Sequence, residues 1–223
     1  MDQFTGYPPE ALSLLDQIGT GDRDFFASHK ERYHLEVLEP TRLLVAALAP
    51  ALHDEVSPDL QVIPKVNGSI SPITNDARFH AVPPYKDYVL LRFWEGADKA
   101  NSPTVFMRLA SEGIGFGVGW RFAGSDLARY RTAVAGPLGA QLVAELQVLQ
   151  HQPDAEIIGD ELKRVPAPYP PDHERADLLR RKGLGIRWQE PVPKSVTTAR
   201  FATWCARRLG RTVAVHRWLR DNV

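Results

Sequence analysis

The sequence predicts an α+β fold, with a central antiparallel sheet and N-terminal and C-terminal helices packed on it. Three observations carry this. Apolar residues recur at helical spacing in both terminal stretches, and apolar–polar alternation is concentrated in the middle. The link Ser111-Glu112-Gly113 between two alternating segments is too short for a parallel crossover and suits a hairpin.

The N-terminal helices come first. Pro8-Pro9 ahead of Glu10–Leu15 reads as a short helix with proline at its first turn. Thr20-Gly21-Asp22 stops it and offers Asp22 as the cap of a second helix, which carries Phe25, Phe26 and Tyr33 and is expected to end before Pro40. A third helix follows, with Leu43, Leu44, Ala47, Leu48 and Ala51 on a wide apolar stripe.

After Pro58 the pattern changes to strands. Leu60–Val66 reads as an edge strand, because Pro64 cannot donate a ladder hydrogen bond. Asp87–Trp94, Thr104–Leu109 and Ile114–Phe122 alternate as strands do. Ser125 or Asp126 is the expected cap of a long helix from Leu127 to Leu149, kinked or split at Gly136-Pro137. A strand at Ala155–Ile158, a proline-rich loop over 166–171, a short helix at Glu174–Lys182 and a strand at Leu184–Gln189 come next. A last helix is expected from about Ser195 to Asn222.

Composition bounds the function classes. The chain has 223 residues, 43% hydrophobic and 24% charged, as expected of one folded domain over 1–223. Its one cysteine, Cys205, allows no intramolecular disulfide and reads as a small core residue. No export signal opens the chain and no segment suits a membrane span, so a cytoplasmic protein is expected. Lys plus Arg and Asp plus Glu number 27 each, but residues 1–159 hold 13 basic against 20 acidic and residues 160–223 hold 14 against 7. Either the halves neutralise each other, or the basic end meets an anionic partner.

The motifs of P-loop NTPases, α/β-hydrolases, zincins and zinc ribbons are absent, and no cofactor or metal motif appears. Gly113, Gly115, Gly117 and Gly119 alternate strictly into Trp120, unlike a dinucleotide-binding loop. On a strand they share one face, which something must approach closely, a packed helix or a ligand. Asp172-His173-Glu174 suits helix capping better than a metal, since three consecutive residues seldom converge on one ion.

The densest polar cluster is Asn75-Asp76-Ala77-Arg78-Phe79-His80, followed by Pro84-Tyr85-Lys86. Arg78 and Lys86 suit a phosphate or carboxylate, and Asp76 suits the orienter of Arg78 or a base. The alternative is an Asp–Arg pair that pins an irregular loop. Asp22-Arg23-Asp24-Phe25-Phe26, Asp76–Phe79, Pro84–Lys86, Leu162–Pro166, Pro171–His173 and Asp177–Gly183 occur in that order. Together they resemble the bacterial family catalogued as domain of unknown function 2461, over nearly the whole chain. The hallmark of that family is Arg-x-x-Arg-Asp-x-Arg-Phe, followed by an acid–lysine pair and a tyrosine. Here Pro72 stands for the first arginine, Asn75 for the second, and the acid–lysine pair is missing. The resemblance therefore carries over Asp76, Arg78, Phe79, Tyr85 and Lys86, and it marks Lys163-Arg164 and Arg180–Lys182 as further basic positions.

Two functional expectations follow, beside a third in which the divergent motif marks a member that keeps the fold and has lost the site. In the first, Asp76 and Arg78 act on, and Asn75, Phe79, Tyr85, Lys86 and Lys163 help bind, a small anionic ligand, as a binding protein or an enzyme. In the second, Arg200, Trp204, Arg207, Arg211 and Trp218 form one face of the C-terminal helix that binds nucleic acid or an acidic protein. That face could equally pack on the protein itself through cation–π contacts.

Overall fold

The computed structural model describes residues 3–75 and 83–223. Helix α1 spans Ala11–Thr20, and α2 spans Arg23–Arg32, with the Asp22 carboxylate accepting from the Phe25 N–H at 2.8 Å as its cap. Pro40 does not end this helix. A π-helical turn at Tyr33–Leu38 leads straight into α3 at Glu39–Glu55, with Pro40 in the first turn of α3. The wider turn, with the Glu39 N–H bonded to the His34 carbonyl, comes immediately before Pro40, which has no N–H of its own.

The sheet has the order β1-β2-β3-β4-β6-β5, antiparallel throughout, from β1 (Leu60–Gln61), β2 (Val89–Glu95), β3 (Thr104–Ala110), β4 (Gly113–Arg121), β5 (Glu156–Ile158) and β6 (Gly183–Glu190). The expected edge strand is cut to Leu60-Gln61. Beyond it the Ile63 carbonyl accepts from both the Lys65 and Ser69 N–H groups, so the chain curls before Pro64 can be asked to pair. Between β4 and β5 the predicted long helix is split at Gly136-Pro137 into α4 (Ser125–Ala135) and α5 (Leu138–Gln150). Neither Ser125 nor Asp126 caps α4. Gly124 holds that position at φ +53°, and the Asp126 carboxylate instead pairs with Arg129 at 2.7 Å.

Helix α6 is a single turn at Ala176–Leu179, shorter than expected because the chain enters β6 at Gly183. The expected final helix is broken. A 3-10 turn at Lys194–Thr197 precedes α7 (Arg200–Leu209), and a second at Gly210–Thr212 separates it from α8 (Val213–Asn222). The change of helical pitch lies at Gly210, a poor helix former.

Alternation in the strands divides the sheet into two unlike faces. Leu91, Phe93, Val105, Met107, Ile114, Phe116, Val118, Ile186 and Trp188 are all buried beneath helices that include α1, α5, α7 and α8. The opposite face carries Leu90, Arg92, Thr104, Phe106, Arg108, the alternate glycines of β4, Gly185 and Arg187. Strand and loop residues line the clefts upon it. No described helix is long and apolar enough to cross a membrane.

Candidate functional site

The glycine row of β4 lies on the open face, and no helix packs there among the described residues. Side chains of the neighbouring strands lie over it instead. A Cβ on Gly117 would stand 2.3 Å from Phe106 Cζ, and one on Gly113 would meet the Gln189 side chain at 2.7 Å. The close approach expected from the glycine alternation is therefore that of flanking side chains at Gly113 and Gly117 and of the Gly185 backbone at Gly119.

Phe106 divides the open face into two clefts. The first, of about 580 Å³, has Thr104, Gly119 and Gly185 in its floor and is ringed by Arg92, Lys99, Arg121 and Lys182 against a single carboxylate, Asp160. Arg92 projects outward because it alternates with the buried Leu91 and Phe93. Lys99 is placed by the β2–β3 loop, where the Asp98 carboxylate accepts from the Ala100 N–H at 2.8 Å and from Asn101 Nδ2 at 2.7 Å. That turn sets the Lys99 ammonium 4.8 Å from the centre of the Trp94 ring and within hydrogen-bond reach of the Gly68 carbonyl.

Charge in this cleft is not neutralised from within. Among the described residues neither Arg92 nor Lys99 has a carboxylate at ion-pair distance, and Arg92 Nε is buried without a hydrogen-bond partner. Burial holds the Arg92 guanidinium below its ordinary value. Burial, together with the adjacent Arg92 charge, brings the Lys99 ammonium down to about 8. Arg121 stands 4.0 Å from Asp160, with both side chains largely exposed.

The second cleft, of about 600 Å³, holds Arg108 and Arg187 facing Glu112, Asp154 and Glu156. Here the charges are spoken for. Arg187 pairs with Glu156 at 2.7 Å, Arg108 with Glu112 at 2.5 Å, and the Arg108 guanidinium lies 4.2 Å from the centre of the Tyr88 ring.

None of the described residues expected to form the site lines either cleft. Asp76, Arg78 and Phe79 lie outside the described residues. Asn75 and Lys86 brace the neck of their segment: Asn75 Nδ2 donates to the Pro83 and Tyr85 carbonyls, and the Lys86 ammonium donates to those of Pro72 and Thr74. Tyr85 stacks on Phe26 at 4.3 Å. Lys163 is not on a strand; it sits exposed in a bend after the isolated bridge Glu161–Arg181, with no ion pair among the described residues. In the turn before α6, His173 Nδ1 accepts from the Arg175 N–H at 3.0 Å. Of the basic run at 180–182, Arg180 pairs with Asp177 and Glu161, and Lys182 lines the first cleft.

The expected arginine–tryptophan face is also divided. Trp218 is buried, its indole N–H donating to the Leu138 carbonyl at 2.9 Å. Trp204 stacks on Phe201 and lies 3.7 Å beneath the Arg208 guanidinium, which pairs with Glu190 at 2.7 Å. Arg211 reaches Glu190 and Gln152. Cys205 is fully buried, and burial pushes its thiol well up.

A family model described as conserved hypothetical protein (DUF2461) matches residues 12–218. The chain belongs to that family. No curated protein and no solved structure matches it. In this DUF2461 chain the matched span includes every strand of the sheet and both clefts of its open face.

Proposed function

We propose that this DUF2461 protein binds a small anionic ligand, one bearing phosphate or carboxylate, in the cleft between Arg92 and Lys182. The observation that carries the reading is the set of four cations around one carboxylate, with no carboxylate at ion-pair distance from Arg92 or Lys99 among the described residues. A part-buried guanidinium without a partner is costly to maintain, and an anion that bonds to it bidentately offsets that cost. The neighbouring cleft, with its cations already paired, serves as the internal control.

Calorimetry with pyrophosphate and malonate tests this. Binding is expected to weaken about tenfold or more in Arg92→Ala, and to be unchanged in Arg187→Ala. It is also expected to fall as pH rises through about 8, where Lys99 gives up its proton, and Lys99→Met should remove that dependence. If Arg78→Ala abolishes binding and Arg92→Ala does not, the site belongs to the Asn75–Lys86 segment instead.

A further inference from the structure

The cations of the first cleft stand in two groups. Arg92 on β2 and Lys99 on the loop after it form one, both lining the cleft from the β2 side. Arg121 at the end of β4 and Lys182 just before β6 form the other. Strand order sets the distance between the groups. One strand separates β2 from β4 and two separate it from β6, a lateral offset of about 10–14 Å at roughly 4.8 Å per strand, and Arg121 lies four residues further along β4 than Gly117, the residue level with Arg92.

The floor between the groups bears no charge and little relief. Thr104, Gly119 and Gly185 sit opposite one another across β3, β4 and β6. A Cβ on Gly119 would meet Gly185 Cα at 2.8 Å and the Leu184 carbonyl oxygen at 2.9 Å. The two strands are pinched together there, so the floor stays bare backbone, with Phe106 and Ile158 as its apolar borders.

The geometry points to a ligand with an anionic group at each end of a slender, uncharged middle: one end on Arg92 and Lys99, the other on Arg121 and Lys182. This rests on the anion-binding reading above and adds the shape of the ligand to it. The two poles differ in strength. No described carboxylate offsets the first, whereas Asp160 stands beside Arg121 in the second. The more highly charged end of the ligand therefore belongs at Arg92.

Suberate and its monomethyl ester separate the two claims, because they differ in one terminal charge and little in length. Calorimetry on the full chain is expected to show suberate binding about tenfold more tightly than the ester. The double variant Arg121→Ala/Lys182→Ala should bring suberate down to the ester's affinity and leave the ester unaffected. Asp160→Asn should tighten suberate and leave the ester unchanged. Equal affinities for suberate and ester in the parent would overturn the two-pole arrangement while leaving the anion site standing. Binding of neither, with pyrophosphate also silent, would overturn both.

Discussion

The two faces of the sheet are made from the same strands and solve opposite problems. Residues pointing under the helices are aliphatic or aromatic and buried, and each excludes water by filling space. Residues pointing the other way include glycine, arginine, threonine, Leu90 and Phe106, and they leave space open above the backbone. A strand such as β4, reading Gly-Ile-Gly-Phe-Gly-Val-Gly-Trp-Arg, carries the contrast residue by residue. The covered face is where stability resides, and the open face is where an unpaired charge can be kept.

The largest expected effect tests the first half of that statement. Trp188 is 1% exposed and stacks on Phe116 at 5.7 Å, so Trp188→Ala is expected to cost about 3–5 kcal/mol in urea denaturation. Phe106→Ala, on the same sheet but over bare glycine and only partly buried, is expected to cost clearly less. Equal losses would mean that the open face is as much a core as the covered one.

A smaller effect concerns a titratable group under the helices. His216 is fully buried on α8, its Nδ1 3.8 Å from Glu95 on β2, with Arg217, Arg220 and Asp221 around it on its own helix. Burial holds the imidazole down to about 4 against an ordinary 6.5, with Glu95 opposing and the arginines assisting. In that interval the unfolded chain binds a proton that the folded one does not. Stability is therefore expected to fall as pH drops from about 6.5 towards 4, by on the order of 1–3 kcal/mol. His216→Leu should flatten that acid limb in denaturation midpoints taken across the range. An unchanged slope would shift the cause to other groups.

Much of this contrast was legible in the sequence, and some was not, for identifiable reasons. Alternation in Asp87–Trp94 and Thr104–Leu109 gave the strands and the hairpin, because period-two burial is a local property of a one-sided sheet. The glycine alternation showed that one face of β4 was special, but local sequence does not say whether a helix, a ligand or the flat ring of Phe106 fills it. Helix continuity is not legible at either end: the chain stays helical through Pro40 after a π-helical turn, and Gly210 breaks what periodicity alone would run together. The cationic cleft was hidden for a different reason. Arg92, Lys99, Arg121 and Lys182 are scattered over about ninety residues and meet only through strand order, whereas the polar cluster at Asn75–Lys86 is compact in the sequence itself. The signal available in the sequence is Arg92 itself, an arginine at an outward position of a strand whose alternate residues are apolar.

The smallest expected change in stability is the most telling for function. A buried or half-buried arginine normally contributes through its partner, as Arg208 does with Glu190 and the face of Trp204. Arg92 has no such partner among the described residues, and its desolvation is uncompensated. Arg92→Met keeps the apolar stem and removes the charge. It should leave the denaturation midpoint within about 1 kcal/mol of the parent, or raise it, while abolishing the added stability that pyrophosphate confers on the parent. A structural arginine would show the reverse, a marked loss without ligand and no change in the response to it. The two outcomes separate a residue kept for the fold from one kept, at some cost to the fold, for what it holds.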